Sequence, residues 1–338
     1  MALFDQTSFA KFTLRGPGAL ASLNWMCAND VDKPVGSLTY TQMLDDRGGI
    51  QCDLTVCRTD DDAFYLVTGT GFAVHDLDWV ARSIPAHGSV EIADVTTSST
   101  VLSLMGPNSR NVLEAVTSDD VSGRAFPFGT MRPITIAGAS VKALRITYVG
   151  ELGWELHTST HDAAAVYDAL VTAGKAHGLV NAGYRAIESC RLEKGYRAWG
   201  ADIGPDHSPV EAGLGWAVKQ GSGVEFRGQA AIARQRAEGV KKMLATFTID
   251  PEAVGRDVVL LGRETIYRDG ERVGWLSSGG FGYTVGRSIG MGYVRHPQGV
   301  TAAWLLAGTY ELDVATERYR AAVSLRPLYD PTSARVKA

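Results

Sequence analysis

Three carboxylates stand in strand-like patterns that leave little room for them. Glu151 and Glu155 lie in YVGELGWEL, residues 148–156, and Asp53 lies in GGIQCDL, residues 48–54. The first stretch reads as a strand, a Gly-centred turn and a second strand. Alternation at Trp154–Glu155–Leu156 points Glu155 to the face opposite its two apolar neighbours. If both faces are covered, that carboxylate needs a polar partner. Tyr148 and Glu155 then sit near each other across the hairpin. A ring beside a carboxylate can grip a flat heterocycle with an amino-amide edge, because the carboxylate accepts two N–H groups side by side while the ring stacks. An exposed edge Glu satisfies the same pattern. Asp53 follows a Gly48-Gly49 turn and shares a face with Gln51 and Thr55. Asp is depleted in strands because it prefers to bond its own backbone. A solvent-facing Asp and a carboxylate aimed into a cleft both remain open.

A further charged stretch is RLEKGYRAWGAD, residues 191–202, followed by SPVEAGLGW, residues 208–216. Arg191, Glu193, Arg197 and Glu211 are embedded there among Tyr196, Trp199 and Trp216, and read as structural ion pairs. Other patterns fail. Gly69 and Gly71 follow a strand, but the third glycine of a dinucleotide fingerprint is Val74, and the topology is not a parallel βαβ unit. His157 and His161 straddle a strand end and a helix start, so no metal site is expected from them. No nucleophile elbow or Walker loop is present.

The elements that must position these residues form an α+β pattern. Residues 9–26 read as strand, Gly16-Pro17 turn and helix, and residues 101–117 repeat the plan around Gly106-Pro107. Proline near a helix start costs no hydrogen bond. Strands are expected at TYTQML, IQCDLTVCRT, AFYLVTG, VEIADVT, PITIAG, KALRITYVG and GWELHTS, and helices at GFAVHDLDWVARSI and over 161–174. Residues 221–242 read as a turn, a polar helix and a basic linker. Beyond them KMLATFTID, VVLLG and ETIYRDGERVGWLSS are short strands, with a hairpin cue at Asp269-Gly270. The expected units are 1–96 and 97–236, both α+β, and a β-barrel or sandwich at 237–338. With 45% apolar residues and 21% charged ones, the 338-residue chain has the composition of a globular protein. Its formal net charge of -4 gives no electrostatic case for nucleic acid or an anionic membrane. Four cysteines without a CxxC pair fit a reducing cytoplasm.

The ordered set FDQTSFAKFTLRGPGA, CANDVDKPVGSLTYTQMLDDRGGIQCDLTV, YVGELGWEL, RLEKGYRAWGADI, SPVEAGLGW, SSGGFGYTVGRSIGMGYV and RPLYDP resembles the folate-binding aminomethyltransferases. These include the glycine cleavage T-protein and the C-terminal domains of dimethylglycine and sarcosine dehydrogenases or oxidases. LFDQTSF, EKGYRAWG and PDHSPVEAGLGWAVK look closest to the dehydrogenase-fused branch. The resemblance implies a ring of two ferredoxin-like α+β subdomains and a C-terminal antiparallel β-barrel around a central folate channel. It implies tetrahydrofolate as cofactor, Asp53 as the catalytic aspartate, and Glu155 as the holder of the pterin amino-amide edge. Tyr148 then packs on the pterin, and Tyr40, Thr55 and Tyr196 are further cofactor contacts beside Asp53. Two positions depart from the family: Ala186-Ile187-Glu188 lacks an Arg that reaches the folate tail, and Cys52 stands where an aspartate often precedes the catalytic one. The chain also begins where family members already have a segment behind them, as an excised module or a separate subunit would.

The implied chemistry is one-carbon capture. A flavin-dependent amine dehydrogenase or oxidase, as a domain or subunit partner, oxidises a small N-methyl amine such as dimethylglycine or sarcosine to an iminium. A folate nitrogen takes up that carbon, the amine leaves, and methylenetetrahydrofolate results. Asp53 would relay protons and stabilise the cation. Direct demethylation to methyltetrahydrofolate would use the same carboxylates. A non-catalytic folate-binding protein of the iron–sulfur assembly type carries a Cys shortly before Gly-Gln, and Gly228-Gln229 has none before it.

Overall fold

Two glycines set the frame of the α+β part. Gly16 and Gly106 each end a strand with φ of 124° and 129°, a region open to glycine. A Cβ at Gly16 would lie 2.0 Å from the Ser89 carbonyl oxygen, and one at Gly106 would lie 2.9 Å from the Met1 Cα. Each turn is thus pressed against the chain that leads into a neighbouring strand, and a helix starts three residues later. The computed structural model describes residues 1–84, 89–221, 223–255 and 258–338.

In chain order the first strands are β1 (Ala2–Asp5), β2 (Ala10–Arg15), β3 (Leu38–Leu44), β4 (Ile50–Asp60), β5 (Ala63–Thr68) and β6 (Glu91–Asp94). Then come β7 (Ser99–Met105), β8 (Met131–Ile136), β9 (Ala139–Leu144), β10 (Gly153–Ser159) and β11 (Val180–Ala182). The helices among them are α1 (Ala19–Met26), α2 (Ala73–Ser83), α3 (Ser109–Val116), α4 (Ala163–Gly174) and α5 (Tyr184–Lys194). One sheet has the order β3-β4-β5-β2-β6, the other β11-β1-β7-β10-β9-β8. β1 therefore lies in the second sheet, antiparallel to β7 and parallel to β11, although it belongs to the expected 1–96 unit. Helix α6 (Gln229–Glu238) leads into β12 (Val240–Ile249), so the basic residues read as a linker, Lys241 and Lys242, are strand. β13 (Thr265–Arg268), β14 (Glu271–Gly282), β15 (Arg287–Val300), β16 (Tyr310–Val314) and β17 (Glu317–Ser324) follow, and β12-β15-β14-β13-β16-β17 close into an antiparallel barrel. The fold is the expected α+β arrangement with a C-terminal barrel.

Two strands are not where the pattern put them. Residues 145–152 form irregular chain, so Tyr148 precedes β10 in a loop rather than in a paired strand. VVLLG forms no strand among its described residues, and Val258 and Leu260 instead fill the barrel core. No helix among the described residues is long and apolar enough to cross a membrane.

Each sheet buries one face under its own helices. Phe12, Leu14, Cys52, Leu54, Val56, Phe64 and Leu66 pack under α1 and α2, and Leu102, Leu104, Trp154 and Leu156 pack under α3 and α4. The opposite faces meet through Cys57, Tyr65, Val67 and Leu144. The barrel is joined to α5 by Leu192 against Leu244, Ile289, Met291 and Tyr293.

A buried charge cluster runs through that junction. Arg191 donates from Nη1 to Asp202 Oδ2 at 2.7 Å and from Nη2 to Ser278 Oγ at 2.8 Å, with Glu188 at its outer side. Asp202 also accepts from the Ala198 amide at 3.0 Å and from Ser277 and Ser278. Asp202→Ala would leave the guanidinium buried without its carboxylate and should cost about 3–5 kcal/mol, read as a lower urea midpoint. Glu188→Ala, at the half-exposed end of the cluster, should cost less than about 1 kcal/mol. Equal losses would mean that Asp202 does not hold the junction.

Candidate functional site

The β3–β4 hairpin delivers Asp53. Its turn is locked from outside: the Ile50 amide donates to the His207 carbonyl at 3.0 Å, and a Cβ at Gly49 would lie 2.1 Å from the Pro205 oxygen. Because Cys52, Leu54 and Val56 go to the helix-covered core, strand alternation turns Gln51, Asp53, Thr55 and Cys57 to the other face. In the register Gln42 pairs with Asp53 and Tyr40 with Thr55. The Gln42 amide, fully buried, donates from Nε2 to Asp53 Oδ1 at 2.9 Å. Burial pushes the Asp53 pKa up from 3.8 to about 6, while hydrogen bonds from Gln42 and Tyr40 pull it down, Asp76 raises it and Arg197 lowers it. The Gln42 Oε1 atom is buried with no partner.

Asp76 reaches Asp53 electrostatically from α2. It is buried and accepts from Thr68 Oγ1 at 2.5 Å, with His75 Nδ1 at 2.9 Å. Cys52, His75 and Asp76 place ligand atoms within 4.8 Å of one another, but these hydrogen bonds already satisfy both Asp76 oxygens.

Aromatic side chains line the same region. Tyr148 and Tyr196 stack with centroids 6.1 Å apart and planes 10° from parallel. The Tyr148 hydroxyl donates to the Arg197 carbonyl at 3.0 Å. Tyr40 stacks on Trp216 at 5.8 Å and 28°, and Trp216 is 69% exposed. The expected ion pairs divide. Arg191 pairs with Asp202, and Glu211 lies 3.7 Å from Lys242. Glu193 instead accepts the backbone amides of Thr284 and Val285 at 2.6 and 2.9 Å. Arg197 donates to the carbonyls of Ala212 and Gly195 at 2.9 and 2.7 Å, and its charge lies beside Tyr40 and Asp53 with no salt-bridged carboxylate among the described residues. Burial lowers its pKa, and those neighbours raise it.

Glu155 on β10 is buried, with Trp154 and Leu156 in the core behind it. Its carboxylate lies 3.4 Å from His157 Nε2, and His157 Nδ1 lies 3.0 Å from the Tyr65 hydroxyl of β5. Glu151 is bound by the Tyr329 hydroxyl of the C-terminal tail. Tyr40, Asp53, Tyr148 and Tyr196 thus come together around Arg197, with Thr55 beside Tyr40. Glu155 lies on the inward face of the other sheet. Pattern reading passed over Gln42, Arg197 and Trp216 as site residues and took His157 only as a poor metal ligand. Gln42 was out of reach of it, because a register shift between Met43 and Leu44 decides which residue stands opposite Asp53. Ile187 is buried against Phe4, Met105 and Val149 and offers no cation there.

The residues fit a reduced pterin in chemical type. They supply a buried carboxylate that accepts N–H donors, flat stacked rings, and a second carboxylate whose orphaned Gln42 neighbour marks a polar wall.

The GCVT N-terminal domain matches residues 1–222, and the glycine cleavage T-protein C-terminal barrel domain matches residues 242–330. The mitochondrial sarcosine dehydrogenase of Mus musculus is 39% identical over 99% of this chain and 38% of its own length. The chain thus spans well under half of that relative. An aminomethyltransferase of Halothermothrix orenii is 36% identical over 87% of this chain and 80% of its own. The crystal structure of the glycine cleavage system aminomethyltransferase T from Bartonella henselae superposes with a TM-score of 0.84 at 24% identity, covering 98% of this chain and 86% of that one; this likeness concerns the fold.

Asp53 also carries a stability signature. A carboxyl whose pKa rises to about 6 on folding binds its proton more tightly in the native state, so its stabilising share is complete below about pH 4 and lost as pH rises through about 6. Asp53→Asn should therefore stabilise the chain at pH 8 by up to about 3 kcal/mol and change nothing at pH 4. Denaturant unfolding at the two pH values checks this. An equal effect at both would remove the buried-charge account.

Proposed function

The chain belongs to the tetrahydrofolate-binding glycine cleavage T-protein family of aminomethyltransferases, and from that membership we propose that it captures a one-carbon unit from an N-methyl amine of the dimethylglycine or sarcosine type. The observation that carries the reading is Asp53, half-buried, held by neutral donors and facing stacked tyrosines. When bound, tetrahydrofolate supplies the nitrogens that take up the carbon.

Each of this chain's residues then has a task. Glu155 accepts the N–H groups of the amino-amide edge, and Tyr148 and Tyr196 offer their planes. Asp53 receives protons released on carbon transfer and returns them to the departing amine. Its pKa of about 6 places it near the working pH, where proton exchange in both directions is cheap. Its negative charge also stabilises an incoming iminium. Gln42 and Tyr40 fix the carboxylate, and Trp216 covers Tyr40 at the exposed side. The iminium would come from a flavin-dependent amine-oxidising module. The greater length of the sarcosine dehydrogenase relative supports that partner.

Calorimetric titration of tetrahydrofolate and a transfer assay test the proposal together. Asp53→Asn should keep the dissociation constant within about threefold while turnover falls by about 10²–10⁴. Glu155→Ala should weaken tetrahydrofolate by about 10- to 100-fold, the loss of a charge-assisted pair of hydrogen bonds. Wild-type turnover should rise with pH through about 6 as Asp53 ionises. Wild-type turnover by Asp53→Asn, or unchanged binding by Glu155→Ala, would sink the assigned roles.

A further inference from the structure

We propose that His157 is a positioning residue for Glu155, the last link of a one-way hydrogen-bond relay that crosses between the two sheets. The inference rests on Glu155 being the carboxylate that receives the cofactor. Glu155 and His157 are two apart on β10 and share its inward face. Both are buried, at 4% and 2% exposure, and Tyr65, from β5 of the other sheet, is buried at 4%. Tyr65 meets the imidazole edge-on, with centroids 5.5 Å apart and planes at 81°.

The proton positions follow from the chemistry of the groups. An ionised carboxylate can only accept, so Nε2, 3.4 Å from Glu155 Oε2, must be the donor. Burial lowers the His157 pKa and keeps the ring neutral, with Glu155 opposing and Lys11 and Lys142 adding to the lowering. A neutral ring with a proton on Nε2 accepts at Nδ1, so the Tyr65 hydroxyl, 3.0 Å away, donates. Ser99 in turn bonds the phenol oxygen. Every donor points the same way, toward Glu155. Such a chain polarises along its length, and it holds Oε2 through one lone pair, which fixes the carboxylate plane and leaves an acceptor site on each oxygen for a ligand. Strand geometry alone would leave the carboxylate free to rotate.

The test is a double-mutant cycle read by calorimetric titration of tetrahydrofolate. His157→Leu should weaken binding by about tenfold, the loss of one hydrogen bond to a charged group. His157→Gln, whose amide can still donate, should stay within about threefold of wild type. In a Glu155→Ala background His157→Leu should change affinity by less than about twofold, because the group it acts through is gone. Losses that add across the cycle would overturn the inference and leave His157 as packing. If His157→Leu does not fold, Tyr65→Phe replaces it. Removing that hydroxyl should weaken binding by about threefold in wild type and not at all with Glu155→Ala, and additive losses again overturn the relay. Failure of Glu155→Ala to weaken binding is a different result, because it removes the pterin role itself.

Discussion

The Arg191–Asp202 pair is the interaction on which the rest of the structure depends. Two charges out of water are expensive unless most of their lone pairs and protons are matched, and of the Arg191 nitrogens Nε is left buried without a partner. Here Asp202 collects Arg191, the Ala198 amide and two serines of β14, while Arg191 reaches Glu188, Ser278 and the Tyr196 carbonyl. One buried node therefore fixes α5, the 195–203 loop and the barrel wall together. That loop carries Tyr196 and Arg197, so the aromatic pair and the charge beside Asp53 inherit their placement from it. The Tyr293 hydroxyl, donating to the Asp202 carbonyl at 2.9 Å, adds a barrel contact from the other side.

Around that frame the two candidate carboxylates share a design. Neither is paired with a lysine or arginine among the described residues. Asp53 is held by the Gln42 amide and Glu155 by the His157 imidazole. A guanidinium in either place would cancel the charge and pull the pKa down. Neutral donors orient an acid and leave its charge for the ligand. Arg197 acts on Asp53 from a distance, since its Nε and Nη1 donate to carbonyls. The result is a pair of carboxylates with direction and unspent charge, suited to N–H groups and to a transient cation.

Much of this was legible in residue order. The two strand–Gly-Pro–helix units follow from glycines at which a side chain would meet the Ser89 carbonyl or Met1. The Asp269-Gly270 hairpin follows from two residues with positive φ, 52° and 85°. The face on which Glu155 stands was legible from Trp154 and Leu156, but alternation left open whether that face is covered, and it is the opposing sheet that buries it. What stayed hidden depended on contacts distant in the chain. His157 finds Tyr65 across 92 residues, and β1 leaves its sequence neighbours for β7. The apolar run VVLLG reads as a strand, yet Val258 and Leu260 bury their side chains without a ladder partner. Tyr148 reads as a strand residue, but its place is set by stacking on Tyr196.

The C-terminal segment after the barrel returns to the α+β part. Asp330 accepts from the Lys194 ammonium at 3.0 Å, Tyr329 binds Glu151, and Val336 is buried. Glu193, next to Lys194, caps the turn between β14 and β15 from the opposite direction. The barrel is thus buckled to α5 at both of its ends. These fastenings tie the barrel to the helix that leads into the site. Opening of the barrel is thereby coupled to opening of the site, and a ligand bound far from the barrel should raise the temperature at which the barrel comes apart.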